Sequence, residues 1–156
     1  MMGRIAPSKA LEDDLEKLVT ADPQGKHPLF ETKQKALMFA AALGRWRDAE
    51  RRAVDRKGTA IRYDIFQRSL DDGYIDALAI SESEGDLKVL APEKDDDRIT
   101  VFEQYAQSGL EEMIERFNRP GDPLEALLAL IDEARAEAPA GLDGIDLGAL
   151  RKLLGE

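Results

Sequence analysis

The chain has 156 residues, 43% of them apolar and 35% charged, with a formal net charge of −10 and no cysteine. That length suits one ordinary domain with a proper core, and the composition excludes global disorder, a disulfide framework and thiolate metal sites. No apolar run approaches the ~20 residues of a membrane-spanning helix, and Met1 to Pro7 lacks an apolar core of signal-peptide length, so a cytoplasmic protein with no membrane contact is expected.

Ser8 is placed to cap a first helix, whose apolar stripe is Leu11, Leu15, Leu18 and Val19, with Glu12, Asp13 and Asp14 near the positive end of the dipole. Asp22-Pro23-Gln24-Gly25 reads as a turn. Thr32 then offers an oxygen to a helix start and Gly44 fits a helix end or a kink; between them Ala36 to Leu43 are apolar without a break. A helix apolar on all sides must be covered on all sides. This one is either the centre of a small domain or the core of an intertwined dimer, and its alanines allow other backbones close.

Lys57-Gly58 breaks the pattern, and Ala60 to Phe66 alternates well enough for a short strand or an extended loop. Ser69 and Asp72 resemble a capping box opening a helix with Leu70, Tyr74, Ala77 and Leu78 on one side. Leu87 to Leu90 suits a short extended piece. Asp95-Asp96-Asp97 leads into the clearest amphipathic helix. Ile99, Phe102, Tyr105, Ala106, Leu110, Met113, Ile114 and Phe117 line one face, opposite Glu103, Gln107, Glu111 and Arg119. Asn118 to Gly121 ends it. Asp122 and Pro123 start the next helix, with the stripe Leu124, Leu127, Leu128, Ile131 and Ala134.

Ala136 to Gly144 reads as a linker, and Leu147, Leu150, Leu153 and Leu154 as a short amphipathic helix that docks on the body or binds a partner. The expected fold is therefore mainly α. A compact helical domain, residues 1–136, surrounds the central apolar helix at 32–43 with at most one or two short strands. Residues 137–156 form linker and tail.

The charge is uneven: residues 1–69 carry 14 Lys and Arg against 10 Asp and Glu, whereas residues 70–156 carry 8 against 22. An acidic balance works against sequence-blind DNA binding, because phosphate contacts need cations to displace counterions. The local exception is the stretch from Arg45 to Lys57, with Arg45, Arg47, Arg51, Arg52, Arg56, Lys57 and the single Trp46. It suits contact with nucleic acid or an acidic partner. It equally suits a solvated helix face whose interleaved acids, such as Glu50, pair four residues away.

The catalytic inventory is thin. His27 is the only histidine, and neither a phosphate-binding G-x-x-x-x-G-K-[ST] loop nor a G-x-G-x-x-G turn is present. Asp95 to Asp97 are explained by capping and the helix dipole more simply than by a metal. Asp64 followed by Asp86-Leu87-Lys88 has the spacing of a Mg²⁺-dependent nuclease, which would require both segments to be adjacent strands. Neither catalytic residues nor a cofactor are assigned.

Phe30 to Gly44, with Met2-Gly3-Arg4-Ile5, Lys9-Ala10-Leu11-Glu12, Ile61-Arg62, Ile65-Phe66 and Phe102 to Ala106, resembles the DNA phosphorothioation-associated protein 4 family over roughly residues 1–118, with Ala136 onward outside it. The resemblance implies a non-enzymatic accessory role in a bacterial Dnd-type defence system built around sulfur-modified DNA. Its partners would be the other proteins of the phosphorothioation and restriction system, or alternatively DNA. The first forty-odd residues are also similar to a small DNA-binding component of such systems, itself like ribbon-helix-helix proteins. That layout would make Arg4-Ile5-Ala6 a ribbon and the protein a homodimer; Pro7 and the long connection from Thr20 to Glu31 depart from it.

Overall fold

A computed structural model describes residues 3–21, 27–47 and 51–137. Strand β1 (Arg4–Ile5) leads through a 3-10 turn at Lys9–Leu11 into α1 (Glu12–Val19), and α2 spans Lys33–Trp46. Strand β2 (Ile61–Arg62) runs directly into α3 (Tyr63–Arg68), followed by α4 (Asp72–Glu82). Two 3-10 turns, Leu87–Leu90 and Pro92–Lys94, precede the long α5 (Asp95–Phe117) and α6 (Pro123–Ala136). The fold is mainly α, as the apolar periodicity indicates. The turn at Asp22 to Gly25, the acid Glu50 and the tail from residue 138 lie outside the described residues.

The centre of the molecule is the contact of α2 with α5, the most extensive between any two elements. Thr32 caps α2 as expected, its side chain accepting a hydrogen bond from the Lys35 amide. The expected end at Gly44 is corrected, because the helix continues to Trp46. Gly44 is there for closeness. A Cβ on it would lie 2.4 Å from the Tyr105 carbonyl oxygen, and one on Gly109 would lie 1.7 Å from that of Ala40. With Ala36, Ala40, Ala41 and Ala106 also buried, the two helices meet nearly backbone to backbone.

Around this seam the buried side chains of Leu15, Leu37, Phe66, Ile75, Phe102, Leu110, Met113 and Leu130 complete one core. Each fully buried Leu, Ile, Phe or Met stabilises the fold by roughly 1.5–3 kcal/mol. The Phe66 and Phe102 rings meet edge to face at 5.8 Å. Elements of the same chain bury Ala36, Leu37, Ala40, Ala41, Leu43 and Gly44, whereas Met38 and Phe39 are half-buried and Ala42 is exposed, so the apolar helix is central to the domain without being covered all round.

Several local expectations are revised. Tyr63 to Phe66 form a helix, leaving Ile61–Arg62 as the strand, and Leu87 to Leu90 coil into a 3-10 turn. Ser8 makes no side-chain capping bond, and Ser69 instead donates to Asp71 at 2.9 Å. Glu103 and Gln107 are 4% and 8% exposed, so α5 is enclosed on more of its circumference than the amphipathic pattern shows. In α4 the buried residues are Ile75, Leu78 and Ala79, while Leu70 stands 82% exposed at φ 64°. In α6, Leu127 and Leu130 point inward, and Leu124 and Leu128 are about half exposed. The ends of α5 and α6 follow the sequence: Gly121 takes φ 129° in the turn, and Asp122 accepts from the Leu124 amide.

Candidate functional site

The basic stretch does not form one solvated helix face. Arg45, Trp46 and Arg47 belong to the last turn of α2 or its cap, whereas Arg51 to Ala60 run as non-helical chain. The Arg47 guanidinium, 15% exposed, reaches Glu112 at 3.2 Å, Glu133 at 3.3 Å and Glu137. Burial pulls its pKa down, but the surrounding carboxylates outweigh that and raise it. Arg116 binds the same Glu133 at 2.5 Å, which holds that carboxyl at about 2. The Trp46 indole donates to the Ala134 carbonyl. Together these contacts lock the end of α2 to α5 and α6.

The rest of the stretch is a strap over α5. Arg51 pairs with Glu82 at 3.2 Å and Arg52 with Glu111 at 3.2 Å, while the Arg52 amide donates to the Gln104 carbonyl. Glu82 also accepts from the Tyr105 hydroxyl, whose pKa burial and then Glu82 push up to about 12. Lys57 pairs at 2.9 Å with Glu103, a carboxylate nearly closed off from solvent. Arg45 donates to Ser81. Of the seven expected contact residues, Arg56 presents an exposed side chain without an ion pair among the described residues. Among the described residues the partners include acids 31 to 90 residues away, as Arg51–Glu82 and Arg47–Glu137 show; the near neighbour Glu50 lies outside the described residues.

A second basic surface emerges where β1 and β2 pair antiparallel, Arg4 opposite Arg62 and Ile5 opposite Ile61. The expected ribbon segment is thus closed within one chain. The Tyr63 amide donates to the Gly3 carbonyl, which makes Arg4–Arg62 a non-hydrogen-bonded pair, the kind whose side chains lie closest. Further along, Gly58 donates to Pro7 and Lys9 to the Arg56 carbonyl. One extra residue on the second segment accommodates the slip, as a β-bulge does. Carboxylates take the amides left over: Glu103 accepts from Ala6 and Glu12 from Thr59, both at 2.8 Å. Those contacts and Lys9 hold the Glu12 pKa at about 2. Ile5 and Ile61 face the core; Arg4, Lys9, Arg56 and Arg62 face outward. A signal for this surface existed in the alternation Gly3-Arg4-Ile5 against Ile61-Arg62-Tyr63, but only the register brings the arginines together.

The constellations weighed for catalysis are not assembled. Asp64 sits in α3, bound to Arg62 and Arg68. Asp86 accepts from the Lys88 amide at the start of a 3-10 turn, so the acids and lysine do not stand on neighbouring strands. Asp95 binds Arg98 and Asp97 binds Lys94. Buried Arg98 also reaches Asp76 and the Val89 and Ala91 carbonyls, fastening the 83–94 connection to α5. Burial raises the Asp76 pKa against the pull of Arg98. Among the described residues no cluster of three or more His, Asp or Glu is arranged to hold a metal ion, and no helix is long and apolar enough to cross a membrane. His27 lies on the rim of an open groove of about 840 Å³, with Leu18, Leu29, Phe117 and Leu124.

Neither the curated proteins nor the solved structures contain a match to the chain. The model of one family, described as DNA sulphur modification system-associated protein 4, matches residues 4–149, which carries the resemblance past residue 118 and past Ala136. With nearly its whole length matched, the chain belongs to the DNA sulphur modification system-associated protein 4 family.

Proposed function

We propose that the protein is a non-catalytic accessory component of a DNA sulphur modification and restriction system, working in the cytoplasm through contacts with the system's other proteins in antiviral defence. Residues 1–136 are the body and residues 137–156 the linker and tail. The observation that supports this reading is how the surface is spent. Arg47, Arg51, Arg52 and Lys57 of the basic stretch are ion-paired with Glu133, Glu82, Glu111 and Glu103, while α6 leaves Leu124, which lines the groove, and Leu128 about half exposed. Half-exposed leucines at a groove are a surface suited to another protein. A second copy of the chain is an alternative occupant of that face.

The test is affinity capture of the tagged chain from its native cells, followed by mass spectrometry. Proteins of the modification or restriction machinery should be captured, and Leu124→Asp with Leu128→Asp should lose them while the helical circular dichroism is unchanged. Capture of the chain alone, or Mg²⁺-dependent cleavage of DNA by the pure protein, overturns the proposal.

A further inference from the structure

Two arginines placed directly opposite each other on the exposed face of a two-stranded ribbon repel, and like charges in that position destabilise a sheet. The ribbon needs Ile5 and Ile61 for the core; nothing in the fold needs Arg4 beside Arg62. Arg4 has no ion pair among the described residues, and Arg62 shares Asp64 with Arg68. Further along, the Lys9 amide donates to the Arg56 carbonyl, and both side chains are exposed. Lys9 is paired with Glu12 and Arg56 is unpaired among the described residues. Among the described residues Lys9, Arg62 and Arg68 are ion-paired with Glu12 and Asp64, and Asp13 and Asp55 lie close by in the chain, so Arg4 and Arg56 are the cations left unmatched, on a chain of net charge −10.

We propose that this ribbon is a contact for the phosphate backbone of duplex DNA. A guanidinium is a planar fork that takes phosphate oxygens in pairs, and two adjacent forks relieve their mutual repulsion on a shared run of anions. Duplex DNA presents a charge about every 1.7 Å of its axis, so Arg4 and Arg62 find phosphates together. An acidic protein surface would have to supply the same spacing by design. Family membership adds DNA as the polymer at hand. The contact is small: three or four phosphates engaged by an acidic protein give weak binding at physiological salt and clear binding at low ionic strength. It rests on different residues from the protein-contact reading and stands or falls separately.

Fluorescence anisotropy of a labelled duplex, titrated with the full chain at low ionic strength, tests it. Wild type should bind with a log–log salt slope of about −3, and Arg4→Glu with Arg62→Glu should weaken binding at least about tenfold and flatten the slope by about 2. Arg119→Glu, an exposed reversal at the far end of α5, controls for net charge when compared with Arg4→Glu alone and should be much milder. Should the double reversal melt early, Arg4→Gln with Arg62→Gln replaces it and should show the same order of effect at smaller size. Absence of salt-dependent binding by wild type, or equal losses in the ribbon and control variants, overturns the proposal. So does a reversal that keeps DNA affinity but loses a captured protein, which would assign the ribbon to an acidic partner.

Discussion

Three glycines make opposite predictions although all three sit inside helices. Gly109 and Gly44 lie where a Cβ would collide with backbone oxygen, at 1.7 Å from Ala40 and 2.4 Å from Tyr105. Backbone cannot swing aside as a side-chain tip can, so the helices would have to separate. Gly109→Ala should cost about 3 kcal/mol, toward the upper end of overpacking effects, and Gly44→Ala somewhat less. Gly73 in α4 meets nothing within 4 Å, so Gly73→Ala should gain roughly 0.5–1 kcal/mol from helix preference alone. Urea midpoints of the three variants check the order; a stabilised Gly109→Ala would refute the close α2–α5 contact. The pair also shows why a sequence misleads here. Glycine ends helices because it tolerates positive φ and joins helices because it lacks Cβ, and Gly44 looks the same in either use.

At the level of elements, the end of α2 is held by one guanidinium among three carboxylates. Arg47→Ala would leave Glu112, Glu133 and Glu137 facing one another with only Arg116 to compensate. The expected cost is about 2 kcal/mol, in the range for hydrogen bonds to charged groups. Hydrogen exchange should show the loss first in α6, because its ties to α2 run through Arg47 and Trp46; protection unchanged along α6 would count against this tether. What was legible in the sequence follows the reach of each interaction. Caps such as Thr32 with Lys35 and Asp122 with Leu124 act over two or three residues, and the stripe of α5 repeats within one helix. Those features could be read directly. The strap could not be, since Arg51–Glu82 and Lys57–Glu103 join residues 31 and 46 apart. The ribbon surface was hidden for the same reason: Arg4 and Arg62 become neighbours only through a register that the rest of the fold sets.

Across the whole molecule, ion pairs tie a cation-rich first half to an acid-rich second half, and their titration sets the pH range of the fold. Glu133, held at about 2 by hydrogen bonds from Arg116 and then Arg47, contributes stability that is complete above the unfolded carboxylate pKa of about 4.3 and lost as pH falls toward 2. Glu12, at about 2 through Lys9 and Thr59, acts with the same sign. Tyr105 works at the other limb. Its folded pKa of about 12 lies above the unfolded value of about 10, so the neutral phenol stabilises the fold below pH 10 and that share disappears as pH rises to 12. The urea midpoint should therefore be level near neutrality, fall below about pH 4.3, and fall again above about pH 10. Tyr105→Phe removes the titrating hydroxyl but keeps the ring in the core. Relative to its own neutral value, it should fall less steeply on the alkaline side and unchanged on the acid side. An alkaline limb as steep in the variant as in wild type would mean that the Tyr105–Glu82 contact plays no part in alkaline unfolding. A midpoint still level at pH 2 would say the same of the carboxylates that bind Arg116 and Lys9.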